Sequence, residues 1–373
     1  MERNRKRANL VLGGGGIKGI AYIGMYEAAE AKGFRFESIG GVSAGALVGA
    51  VIGAGYKAQE LKRILYETDF DKINIRDISR EMPVVQRFIE YFEKGRYIND
   101  KSIEDFLQIP AREGHFSEII ESFEFSGSRG DILKNIITYS KEKCLFDGDY
   151  IEEWMYKILL KKGIKTFADI RTKNTDKSNP KGYKVRMTAV DANRGKVVVL
   201  PDDISFYGID PDRLEVAKAI RMSTSVPFAF KPVEINKKYG KSSKKHYLVD
   251  GGILDNFPLW LIEPSESVPL IGCMLKGKAK FSIFDPLSIL KKIISVVHDY
   301  GIPDVKDYKN CNIINIDTGN ISFLDFNLDE KEKEFLIQSG YKAFNHAFRR
   351  RIPISIIKRY GFIYILRRLL GLC

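Results

Sequence analysis

Residues 8–55 hold two strand–turn–helix units in immediate succession, each turning on glycine, and this constrains the fold more than any other stretch. The first runs Ala8-Asn9-Leu10-Val11-Leu12 into four glycines, Gly13 to Gly16, then Ile17-Lys18-Gly19 and a helical pattern from Ile20. The second reads as a strand from Ser38 to Val42, a tight turn at Ser43, and an apolar helix from Ala44 to about Ala54. Strand–helix alternation of this kind predicts an α/β protein with a mostly parallel central sheet flanked by helices. It also brings two helix N-termini to one edge of that sheet. One N-terminus carries a hydroxyl and the other bare main-chain amides, a pairing that suits acyl transfer.

From Tyr56 to about Gly182 the pattern changes to charged and aromatic helical segments, clearest at 59–66, 84–93, 102–107 and 151–160, with a turn cluster at 126–130. No chemical motif falls in this block, which reads as a helical insertion or cap. Residues 172–182 form a polar loop. Strands resume at 183–190 and 196–200 as a hairpin, and helical spacing at 213–222 ends before Pro227. A short strand at 247–249 delivers Asp250-Gly251-Gly252. Apolar strands follow at 270–275 and 313–317, and a long helix at 329–350. The expected division is a catalytic domain over 8–275, with its insertion at 56–182, and C-terminal strand and helical segments with a basic apolar tail over 276–373.

The placement of charge matters more than its sum. Of the formal +12, residues 1–7 supply +3 and residues 349–373 supply +7 with no acid, leaving about +2 for the body of the 373-residue chain. Two basic tails on a near-neutral body favour an anionic membrane surface over a nucleic-acid face, so no nucleic acid is expected as partner; solvated tails are the plainer alternative. Four scattered cysteines without a C-x-x-C read as reduced, which argues for the cytoplasm, with peripheral attachment to membranes through the tail. The N-terminal apolar run breaks at Gly13, too early for a signal peptide.

Gly41-Val42-Ser43-Ala44-Gly45 fits G-x-S-x-G, a turn that exposes a serine hydroxyl where small neighbours let the backbone bend and a substrate approach. The plainer reading is a glycine turn whose serine caps a helix. Gly14-Gly15-Gly16-Ile17-Lys18-Gly19 fits G-x-G-x-x-G, so a dinucleotide site must be weighed. Glu37 lies at about the right distance for the ribose acid, but at the start of the second strand and not its end. Lys18 is followed by glycine, which removes the Walker reading. The other use of such a loop is an oxyanion hole. A nucleophilic serine needs a base, and only His115, His246, His298 and His346 exist. None has a motif around it. Asp250, at a strand end beside two glycines, is the better candidate.

In this order, Gly-Gly-Gly-x-Lys-Gly, Gly-x-Ser-x-Gly and Asp-Gly-Gly-x-x-Asp-Asn-x-Pro resemble the patatin-like phospholipases. The stretch from Ser223 to Phe230 with Pro232-Val233 is similar to the segment those proteins carry before the aspartate. The likeness covers about 8–55 and 183–275. It implies a Ser–Asp dyad, with Ser43 as nucleophile and Asp250 as proton acceptor, and an oxyanion hole of the Gly14, Gly15 and Gly16 amides with Lys18 beside it. Gly19, Gly41, Gly45, Gly251 and Gly252 complete the motifs. The substrate would be a phospholipid or other acyl-ester lipid, with no cofactor and no metal. Because an aspartate near its solution pKa of about 3.9 is a weak base at neutral pH, the mechanism predicts partial burial of Asp250 that raises its pKa. An acyltransferase or thioesterase on the same elbow, and a non-catalytic lipid- or nucleotide-binding module, stay open as rivals.

Overall fold

A computed structural model describes residues 6–68, 148–277 and 311–349 together with Cys144, apart from Phe228, Gly240, Lys241, Pro264 and Glu266. Residues 1–5 and 350–373 of the basic tails, the turn cluster at 126–130 and the helical segments expected at 84–93 and 102–107 lie outside these residues.

The first apolar run becomes strand β1 (Lys6–Leu12), whose two faces are both buried. Ala8, Leu10 and Leu12 face one core and Val11 faces another, as expected of a strand inside a parallel sheet. β1 pairs in parallel with β2 (Phe34–Val42) on one side and with β7 (Leu270–Lys276) on the other. β7 in turn pairs in parallel with β8 (Cys311–Asp317). Beyond β2 lies β3 (Val185–Asp191), also parallel, which forms the expected hairpin with β4 (Lys196–Leu200). A second hairpin, β5 (Val233–Tyr239) with β6 (Ser242–Asp250), completes an eight-stranded mixed sheet among the described residues.

β3 has three partners, and the register shows how they fit. β4 and β6 both pair with residues 189–191, so they occupy opposite edges of β3. β2 pairs with residues 185–188, where β4 also pairs, and so shares its edge with β6. β2 and β6 therefore run toward each other along one edge, with Val42 opposite Thr188 and Asp250 opposite Ala189. Their C-terminal ends meet there.

Helix α1 (Ala21–Ala31) follows the glycine loop through a 3-10 turn at Gly16–Ile20, and α2 (Ala44–Gly53) follows Ser43. With α3 (Ala58–Glu67), α4 (Asp149–Leu160), α5 (Val216–Ser223) and α6 (Glu330–Ala347) they cover one face of the sheet in a continuous apolar core. Phe257, Leu259, Leu261 and Ile262 cover the other face over Val11, Leu270 and Met274. β8 and α6 thus belong to the same sheet and layer as the segments before them. Among the described residues no helix is long and apolar enough to cross a membrane.

α1 and α6 touch backbone to backbone. A Cβ at Gly24 would fall 1.8 Å from the Ile337 carbonyl oxygen, and one at Gly340 would fall 1.8 Å from that of Ala21. Gly340→Ala must push the helices apart and is expected to destabilise the protein by about 1–3 kcal/mol, read as a lower urea midpoint. An unchanged midpoint would show that the crossing is looser than drawn.

Candidate active site

Ser43 sits between β2 and α2 with φ 54 and ψ −123, the one non-glycine residue with positive φ among those described. That conformation belongs to the first corner of a type II′ turn, where glycine is the usual occupant. The motif glycines make the turn possible by contact. A Cβ at Gly45 would lie 2.2 Å from the Leu12 carbonyl oxygen, and one at Gly41 would lie 2.6 Å from the Gly45 carbonyl. Gly19 leaves the same kind of room, since its Cβ would lie 2.9 Å from that of Ala44. The serine elbow and the glycine loop therefore pack directly on each other.

Asp250 stands at the facing strand end and is fully buried, more deeply than the partial burial expected of it. Its Oδ1 accepts the Gly252 N–H at 2.7 Å, and its own N–H donates to the Ser225 carbonyl at 2.9 Å. Gly251 presses on β3, where a Cβ would meet Thr188 Oγ1 at 2.5 Å. The segment at the end of α5 ties both strand ends together. Ser223 Oγ accepts the Ser43 N–H at 3.0 Å and donates to the Thr188 carbonyl at 2.7 Å, while Ser225 holds Asp250 from the same turn. Since successive residues of a strand are about 3.3 Å apart, the offset between Thr188 and Ala189 brings positions 43 and 250 to one point on the sheet edge.

The glycine loop lies over this point. Gly13 N–H donates to the Cys273 carbonyl at 3.0 Å and Gly14 N–H to that of Asn256 at 3.1 Å. Gly14's amide is thus already committed. Gly15 and Gly16 donate to no protein acceptor among the described residues, and the next amide, Ile17 N–H, donates to the Phe323 carbonyl at 3.0 Å. Gly16 has φ 54, and a Cβ there would fall 2.1 Å from the Phe323 oxygen, so only glycine fits. The buried Tyr22 hydroxyl donates to the Gly13 carbonyl at 2.8 Å and steadies the loop. Burial holds its pKa well above that of an ordinary tyrosine, so it stays a donor.

The other expectations divide cleanly. His246 is buried, but its Nδ1 lies 2.8 Å from Asp191 Oδ2, an oxygen that Tyr207 also engages at 2.8 Å, several residues along the ladder from Asp250. His346 is exposed in the last turn of α6, and His115 and His298 lie outside the described residues. Glu37 pairs with Arg7 well before the end of β2, with one contact at 2.7 Å, which removes the ribose role from it. Among the described residues no group of three or more His, Cys, Asp or Glu gathers as a metal site.

Sequence reading missed the walls. An apolar chamber with an empty volume of about 1080 Å³, its open mouth included, begins at Gly16 and Ser43. Leu47 and Val51 of α2, Leu65 of α3, Ile158 of α4 and Phe323 and Phe326 after β8 line it. Nothing in the sequence says that these four segments close around Ser43.

The model of the patatin-like phospholipases matches residues 10–262. The chain belongs to the patatin-like phospholipase family. This membership places it among lipid hydrolases. Within the curated proteins it is 30% identical over 335 residues to the uncharacterized protein YqhO of Bacillus subtilis, covering 88% of this chain and 94% of that one. A short stretch of 42 residues is 55% identical to the neuropathy target esterase sws of Drosophila persimilis, covering 11% of this chain and 3% of that one. Of solved structures, VipD from Legionella pneumophila aligns over 92% of this chain and 67% of that one, at 16% identity and a TM-score of 0.45.

Proposed function

We propose that this patatin-like protein is a phospholipase A-type acyl hydrolase working through a Ser43–Asp250 dyad. The observation that supports it is the meeting of β2 and β6 on one edge of β3, under two amides with no protein acceptor among the described residues and at the mouth of an apolar chamber. Ser43 Oγ attacks the ester carbonyl as Asp250 takes its proton. The Gly15 and Gly16 amides hold the oxyanion. The intermediate expels the lysolipid alkoxide, which takes the proton from Asp250, and leaves an acyl-enzyme. Water then gives a proton to Asp250, attacks the acyl carbonyl and releases the fatty acid, and the proton returns to Ser43. The acyl chain lies in the chamber throughout, and the protein reaches its substrate from the water side of a membrane.

The test is fatty-acid release from mixed phospholipid vesicles, with labelling by a fluorophosphonate and location of the adduct by mass spectrometry. Release with an adduct on Ser43 supports the reading. Release without Ser43 labelling removes the dyad, and neither release nor labelling favours a binding module. Competition between water and an acceptor alcohol separates hydrolase from acyltransferase.

The chamber makes a separate prediction. Val51→Phe places a ring on its wall and is expected to shift the preferred acyl chain to a shorter one, with kcat/KM for long chains reduced about 10–200-fold, the range that pocket-size discrimination reaches. A series of acyl esters of increasing length checks it. An unmoved optimum would mean that the chain goes elsewhere.

A further inference from the structure

Across the glycine loop from Ser43 lies a second, more polar crevice. Gly13 and Gly14 form part of its wall, whereas Gly16 and Ser43 line the apolar chamber. It opens at the carboxyl ends of β1, β7 and β8. β1 is followed outward by β2 on one side, and β7 by β8 on the other. The crevice therefore sits at the switch point of the parallel strands, where neighbouring loops diverge and α/β sheets take their ligands.

The lining supplies both signs of charge. Lys18 and Lys276 bring ammonium groups, and Asp317 brings a carboxylate whose Oδ1 is fixed by the Gly319 N–H at 2.9 Å. Asn256 is only 9% exposed, and its Oδ1 is enclosed with no hydrogen-bond partner among the described residues. The Asn256 main chain also holds the Gly14 amide, which ties the crevice to the loop over Ser43. Among the described lining residues none carries an aromatic ring, the kind of face that recognises a quaternary ammonium.

We propose that this crevice is a head-group subsite for a phosphodiester carrying a primary ammonium, of the phosphoethanolamine type. It rests on the reading of Ser43 as the attacker of a lipid ester. The two lysines take the phosphate, and Asp317 accepts from the ammonium N–H groups. The trimethylated head has no N–H to give them. With the Gly15 and Gly16 amides at the divide, the ester carbonyl lies between the two spaces, its acyl chain on one side and its alcohol on the other.

The full-length protein is titrated with glycerophosphoethanolamine and, separately, glycerophosphocholine, followed by ligand-observed NMR. Neither probe carries an acyl ester, so binding is read apart from catalysis. The ethanolamine head is expected to bind about tenfold more tightly. Asp317→Asn should bring its affinity down to that of the choline head, and Lys276→Ala should weaken both. Equal affinities, no binding, or a preference that survives both substitutions overturns the subsite. Hydrolysis of a p-nitrophenyl acyl ester, which has no head group, is measured alongside. Hydrolysis with equal head-group affinities sinks the subsite alone, whereas a clear ethanolamine preference without hydrolysis sinks the dyad reading and supports the subsite.

Discussion

Ser43→Gly is expected to abolish acyl-ester hydrolysis and, in the same step, to make the protein more stable. The loss should be on the order of 10⁴-fold or more in kcat, as for removal of a serine nucleophile elsewhere. The gain comes from the backbone. Ser43 holds φ 54 and ψ −123, and a side chain in so sparsely populated a region costs about 1–3 kcal/mol. Glycine adopts that conformation without strain. Its greater freedom in the unfolded chain takes back about 0.4–1 kcal/mol, so the net gain is about 1 kcal/mol, read as a higher urea midpoint. Ser43→Ala is the control, because it removes the hydroxyl and keeps the strained Cβ; it should be as inactive and no more stable. A less stable Ser43→Gly protein would refute stored strain, and near-normal hydrolysis by either variant would refute the nucleophile.

That strain marks what the sequence could and could not show. The turn at Ser43 was legible because its causes are local: small residues on both sides, a strand before and an apolar helix after. For the same reason β1, β2, α1 and α2 appear within a few residues of their expected bounds. The β5–β6 hairpin was not legible beyond its last residues. Lys237, Lys238, Lys244 and Lys245 interrupt any apolar alternation, and pairing from Val233 with Leu248 to Tyr239 with Ser242 holds it instead. A charged outer strand is how a sheet edge avoids further pairing, and charge is also what hides it from a hydrophobic pattern.

The non-local half of the site is hidden in another way. Phe323 and Phe326 follow β8 as an ordinary apolar run, and nothing near them in sequence says that the Phe323 carbonyl caps Ile17 and crowds Gly16. Gly24 and Gly340 would each read as a weak point in a helix until the other helix is in place. Asn256 is the instructive case. Its motif was visible as Asp-Asn-x-Pro, but that its main chain fixes Gly14 while its side-chain oxygen is enclosed without a partner among the described residues needs the fold. Sequence nominated the residues proposed to react, and the structure adds the walls that surround them.

Asp250→Asn is expected to lower kcat by about 10²–10⁴, the worth of a positioned general base, with KM nearly unchanged. The substitution is close to isosteric, and the amide oxygen can still accept the Gly252 N–H that Oδ1 now holds at 2.7 Å. The 3-10 turn at Gly251–Ile253 should therefore survive, and a wild-type circular dichroism spectrum would verify it. What the amide cannot do is take the proton of Ser43. KM stays because the apolar chamber that holds the acyl chain does not include Asp250. The decisive measurement is the double variant. If Ser43 and Asp250 act as one unit, Ser43→Ala with Asp250→Asn is no slower than Ser43→Ala alone, since the base has nothing left to activate. Two losses that multiply would mean that the residues contribute separately, and the dyad would have to be given up even with both side chains at the same sheet edge.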